Sequence, residues 1–202
     1  MIRRLLSFLR DLHSYADMLD AKEIARRMFV TNSFDGLLST LGIVLGNYMY
    51  GTVKVESYVG SVVGASMALG FFSGMVATYM SERAERLREL RKTEKAVLRS
   101  LRGTIYEKAA KVVPVYVAFW SGVGAMLLPV IGIAPFLAAM ILGLSMPVWV
   151  LVYASAGLIL LELFLLGVYL GRISGENPLV SGARMTAIGM GAVALFTALR
   201  AF

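Results

Sequence analysis

FVTNSFDGLLSTLGIVLGNYMY, residues 29–50, decides how this chain folds. An apolar helix of about 20 residues rises about 30 Å, the thickness of a bilayer's hydrocarbon core, so this stretch is long enough to cross a membrane. Its one charge is Asp35, the only charged side chain between Met28 and Lys54. A carboxylate near the centre of a membrane helix costs about 2.5–3.5 kcal/mol on insertion scales, and such a group is retained by default because something binds it. The default reading of Asp35 is therefore a cation or proton site.

Composition extends that reading to the whole chain. Over 202 residues the hydrophobic content is 58% and the mean hydropathy +0.73, against about 45–50% apolar residues in soluble domains. An all-α, polytopic membrane bundle is expected. The first 27 residues thread Arg3, Arg4, Asp11, Asp17, Asp20 and Glu23 through their sequence. That pattern does not match a cleavable signal peptide, which carries one basic tip before an apolar core. The absence of cysteine excludes disulfides, thiolate metal sites and thiol catalysis together.

Apolar runs place five membrane helices at 29–50, 57–80, 112–130, 147–170 and 179–200. Residues 112–146 carry no charge, but Pro129, Pro135 and Pro147 interrupt them, so 129–146 reads as a broken or re-entrant segment or a short extra helix. Lys and Arg number six in residues 1–27 and ten in 81–111, and Arg172 and Arg184 flank the turn between the last two spans. The opposite connections hold only Lys54. Positive-inside bias therefore predicts an N-in, C-out topology, with Arg200 snorkelling to the outer interface. The resulting organisation is an interfacial amphipathic helix over 1–27, two membrane helices over 28–80, a basic cytoplasmic helical linker over 81–111, and three membrane helices over 112–202. The net charge of +7 sits in loops facing anionic headgroups and needs no nucleic-acid partner.

MIRRLLSFLRDLHSYADMLD sets Leu5, Leu9, Leu12 and Leu19 near one helical face, the pattern of a helix lying on the membrane surface; His13, the sole histidine, falls there and reads as a surface residue. In the linker, Glu82 with Arg86 and Glu85 with Arg88 are spaced for ion pairs, and Gly103 is the expected helix stop. The linker reads as a solvated helical hairpin extending the second and third spans.

Within the first span, Asn32, Asp35, Ser39, Gly42, Gly46 and Met49 recur at spacings of three and four, giving one polar, small-residue stripe. Gly42 and Gly46, and in the second span Gly70 and Gly74, form GxxxG pairs expected to let helix backbones approach. Glu162 in LILLELFLLGVYLG is the second intramembrane acid, at a depth that allows it to share a site with Asp35. Two such carboxylates bind a divalent cation or hold a proton between them. Met75 is the methionine of interest, because a thioether suits soft metal ions, and Thr78 adds an oxygen donor nearby. No metal-binding His pair or Ser/His dyad is present, so an enzyme is not expected.

RRMFVTNSFDGLLSTLGIVLG (26–46) resembles the first-span motif of the vacuolar iron transporter family, in which a phenylalanine, an Asn-Asp-Gly-Leu unit and a Ser-Thr-Leu-Gly run follow in that order. YMSERAERLRE (79–89) is similar to that family's Glu-Tyr-Leu-Ser segment, and residues 161–192 resemble its last two spans. The resemblance implies a five-span homodimer exporting ferrous iron or manganese from the cytosol by proton exchange, through a path between the two first helices. It places Asp35 as the central metal ligand, with Met75 and Glu162 as further ligands and Asn32, Ser39 and Thr78 lining the path. No permanently bound cofactor is implied, only transported Fe2+ or Mn2+ and protons. Phe34 stands where the family has asparagine, Thr78 where it has glutamate, and the family's glutamate-rich metal-gathering domain is replaced by the short basic linker. A membrane scaffold that kept the fold without transport, or a transporter of a different cation, are the alternative readings.

Overall fold

The computed structural model describes residues 21–199, so the expected surface helix over the first 20 residues, with His13, and Arg200 lie outside the described residues. Every regular element described is helical: α1 (Ala21–Met49), α2 (Val55–Ala96), α3 (Ile105–Gly132), α4 (Ala134–Leu142), α5 (Val148–Ser174) and α6 (Pro178–Leu199). All except α4 are long and apolar enough to cross a membrane.

The helices overrun the apolar stretches that predicted them. α1 is already helical at Ala21, ahead of residue 29, and there Ala21 and Ala25 pack in a small buried cluster with Val113 and Val117 of α3. Asp35 lies about 21 Å along the axis from the Met49 end of α1. α2 runs unbroken for 42 residues out of the apolar zone into the basic segment. It ends at Ala96, before the expected stop at Gly103. The chain folds back there because the Glu94 carboxylate accepts hydrogen bonds from the Leu101 amide (2.8 Å) and the Ser100 hydroxyl (3.4 Å). The anticipated ion pairs form along this extension: Arg86 with Glu82 (2.9 Å) and also with Glu89 (2.7 Å), and Arg88 with Glu85 (3.5 Å).

α3 passes through Pro114 and Pro129 without a break and ends at Gly132. The apolar stretch that follows forms the separate nine-residue α4. Its Phe136 is fully buried and stacks on Tyr58 of α2, with ring centroids 4.5 Å apart. These rings join Leu37, Leu41 and Val44 of α1 and Val152, Ile159 and Leu163 of α5 in the main core. α3 packs on both α1 and α2, and α5 packs on α6; contacts of α1 and α3 with α5 join the two groups. Between α5 and α6, Gly175 takes φ +73°, a left-handed conformation that ends a helix at little cost in glycine, and Asn177 accepts a hydrogen bond from the Leu179 amide (3.0 Å) to cap α6.

Residues Ala68–Ala77 of α2 are π-helical. Such geometry is uncommon beyond a single turn and recurs at functional sites. Here it faces a glycine surface. A Cβ on Gly74 would come within 2.9 Å of the Gly122 Cα, and one on Gly70 would strike the Met126 side chain, so α2 and α3 meet backbone to backbone.

Candidate functional site

On α1, Glu23, Arg27, Thr31, Asp35 and Ser39 are all exposed. They recur every four residues, which advances about 400° per step and keeps them on one slowly drifting face. Asp35 has no hydrogen-bond or ion-pair partner among the described residues. The single chain therefore presents a polar strip with a carboxylate on a helix long and apolar enough to cross a membrane. Further along the helix, Phe196 of α6 covers Gly42, while Gly46 faces open space. The Gly42/Gly46 pair, expected to receive a helix backbone, receives instead a phenylalanine ring at one glycine and no described neighbour at the other.

Asn32, Thr78 and Met75 turn inward and meet at α3. The Asn32 amide donates to the Ser121 hydroxyl (2.6 Å) and to the Met28 carbonyl (3.1 Å), and the Thr78 and Ser121 hydroxyls lie 3.1 Å apart. The Met75 side chain lies against Gly122, the next residue. Ser121, fully buried, thus ties α1, α2 and α3 together, and the sequence reading passed over it. The signal was the Ser-Gly pair interrupting the apolar run FWSGVGAM (119–126). One turn deeper, Gly36 admits the Pro129 ring: a Cβ there would lie 2.8 Å from the Pro129 Cγ. The close α1–α3 contact therefore falls on the residue beside Asp35.

Glu162 occupies the middle of α5 and is only 8% exposed. Both carboxyl oxygens are covered and have no hydrogen-bond partner among the described residues. One oxygen sits beside Gly132, 3.2 Å from where a Cβ would stand, so the absent side chain at Gly132 makes room for it. The cavity beside it, about 450 Å³, is lined otherwise by Phe29, Tyr169 and leucine and isoleucine side chains of α3 and α5. Asp35 does not line this cavity. The two acids read as able to share a site thus occupy separate places, one exposed on α1 and one sealed between α3 and α5.

Among the described residues no three His, Cys, Asp or Glu side chains gather as a metal site would require. The chain offers an isolated exposed carboxylate, a hydroxyl–amide junction and a sealed acid. Ligation of a divalent cation by six or more oxygens, or by a mixed set, needs donors from beyond one α1 strip.

No protein family model matches the chain. It is similar to an uncharacterized protein of Methanocaldococcus jannaschii, at 27% identity over 182 residues, which cover 88% of this chain and 89% of the relative.

Proposed function

We propose that this chain is a multi-pass membrane transporter of divalent metal cations, iron or manganese, working as a homodimer with its path between the two copies of α1. The observation that carries this reading is the exposed strip of Thr31, Asp35 and Ser39 within the apolar stretch of a membrane-length helix. Lipid cannot solvate a carboxylate there, and charged groups in membrane segments almost always face a bundle interior or a water-filled cavity. A second copy across a twofold axis covers the strip and doubles its donors, bringing two Asp35 carboxylates to one level with hydroxyls about 6 Å to either side along the axis. Arriving metal displaces the proton that two facing carboxylates would otherwise share.

In the proposed orientation the N-terminus and the α2–α3 hairpin are cytoplasmic and the C-terminus is outside, following the distribution of Lys and Arg. Export from the cytosol follows from the resemblance described above. Met75, Asn32 and Thr78 support the path from behind, since they brace α1 against α2 and α3. Glu162 has hydrocarbon around it and no second donor among the described residues, so it stands apart from the metal path.

Mn2+ uptake into proteoliposomes tests the site. Wild type is expected to accumulate the ion, and Asp35→Asn to fall to the protein-free background while keeping its helical content; unchanged uptake removes the assignment. The Cys-free chain also allows a direct geometric test. Ser39→Cys should form a disulfide-linked dimer in membranes under mild oxidant, whereas Tyr153→Cys on α5, equally exposed, should not.

A further inference from the structure

A second surface, separate from Asp35, joins two cavities that share Phe29 and Tyr169. The first, about 490 Å³, lies at the end of the bundle that carries the α2–α3 hairpin and is lined by Lys22, Arg26, Tyr116 and Trp120 among others. The second is the cavity of about 450 Å³ beside Glu162, continuing along Leu165, Leu161, Leu158, Leu128 and Ile131. Together they form one groove walled by α1, α3 and α5. Lys22, Arg26 and Phe29 follow one another at helical spacing on α1, and Tyr116 and Trp120 do so on α3.

The chemistry changes in a fixed order along this groove. It begins with Lys22 and Arg26, and among the described residues no acidic side chain lines that end. It passes a collar of Tyr116, Trp120 and Tyr169, the residue types that settle at the boundary between headgroups and acyl chains. It ends in hydrocarbon, because the only acid there, Glu162, has both oxygens covered and offers no polar atom to the groove. From Trp120 to Ile131, α3 rises about 17 Å, so the apolar part follows much of one leaflet's depth.

We propose that this groove binds a phospholipid with a net negative headgroup, its phosphate on Arg26 and Lys22 and one acyl chain running past Trp120 to Leu158 and Ile131. Charge complementarity selects the occupant. Arg26 presents a planar donor fork suited to phosphate oxygens and has no ion-pair or hydrogen-bond partner among the described residues. A zwitterionic headgroup would bring an ammonium to the Arg26 guanidinium, a like charge. The apolar length excludes a free phosphate ion as the natural occupant, since most of the groove would then remain unfilled.

Trp120 lies in the groove and Trp149 is the only other tryptophan, exposed at the far end of α5. Trp149→Phe therefore leaves a reporter inside the proposed site. In phosphatidylcholine vesicles, trace phosphatidylglycerol with brominated acyl chains should quench Trp120 at a lower mole fraction than brominated phosphatidylcholine does. Arg26→Gln and Lys22→Gln should each reduce that preference about fivefold, the worth of one basic side chain at an anionic lipid surface. Arg99→Gln, on the α2–α3 loop, removes the same charge and should leave the preference intact. Equal quenching by the two lipids overturns the proposal, as does a preference that survives Arg26→Gln in a variant of unchanged helicity. Relief of quenching by millimolar inorganic phosphate would instead identify a soluble-anion site and also overturn it. Because no metal enters the assay, its outcome is independent of the transport reading.

Discussion

Asp35 and Glu162 both lie within the apolar stretches of α1 and α5, yet the bundle treats them in opposite ways. Asp35 projects from the surface of the single chain, flanked by hydroxyls, while Glu162 is sealed against Gly132 with hydrocarbon around it. An intramembrane acid thus has two stable settings. It can be left open, to be completed by another surface, or closed off in hydrocarbon where no counter-charge reaches it. The first setting is fit for exchange with a charged guest and the second is not.

The widest gap between the two acids is expected in metal binding. Titration with Mn2+ should show saturable binding that Asp35→Asn eliminates and Glu162→Gln preserves; a matched loss in both variants would mean that the acids share one site after all. Next comes the packing that holds the two settings apart. Gly74→Ala would drive a methyl group into the Gly122 backbone, which cannot yield as a side chain does, and should destabilise the bundle by about 1–3 kcal/mol in detergent unfolding. Glu162→Leu should act in the opposite direction, raising stability by about 1 kcal/mol because it removes unpaired buried acceptors. Destabilisation by that variant would show that the acid is bonded in the folded membrane protein. The smallest effect belongs to the junction behind Asp35. Ser121→Ala should cost about 0.6 kcal/mol, typical of one interhelical hydrogen bond in a membrane, with Mn2+ affinity retained. A large loss of affinity there would move the pathway inward, from the exposed strip to Asn32 and Thr78.

Much of this organisation was legible in the residue order. Long apolar runs announce membrane helices because backbone groups in lipid must bond within their own segment, and that rule leaves few alternatives. The i,i+4 pairs of the hairpin were readable for the same local reason. The boundaries were not. α1 is helical ahead of its apolar run, where Ala21 and Ala25 find partners on α3, and α2 stops before Gly103 because a carboxylate from Glu94 captures the returning chain. Both are long-range or loop contacts that no periodicity encodes. The stripe on the first span was visible as a pattern, but its division was hidden. Asn32 turns to Ser121 while Asp35 and Ser39 face outward, a split set by where α3 lies against α1.

The residue order by itself determined that this chain forms five membrane-length helices and that acids at 35 and 162 sit within them, since hydropathy and helical rise are local properties. Only the tertiary structure decided that one acid is open and the other closed, that Ser121 joins three helices, and that cations at one end and hydrocarbon at the other form a single groove. Those outcomes depend on which helix faces meet, and glycine-to-backbone contacts such as Gly74 on Gly122 set that choice by shape rather than by hydrophobicity.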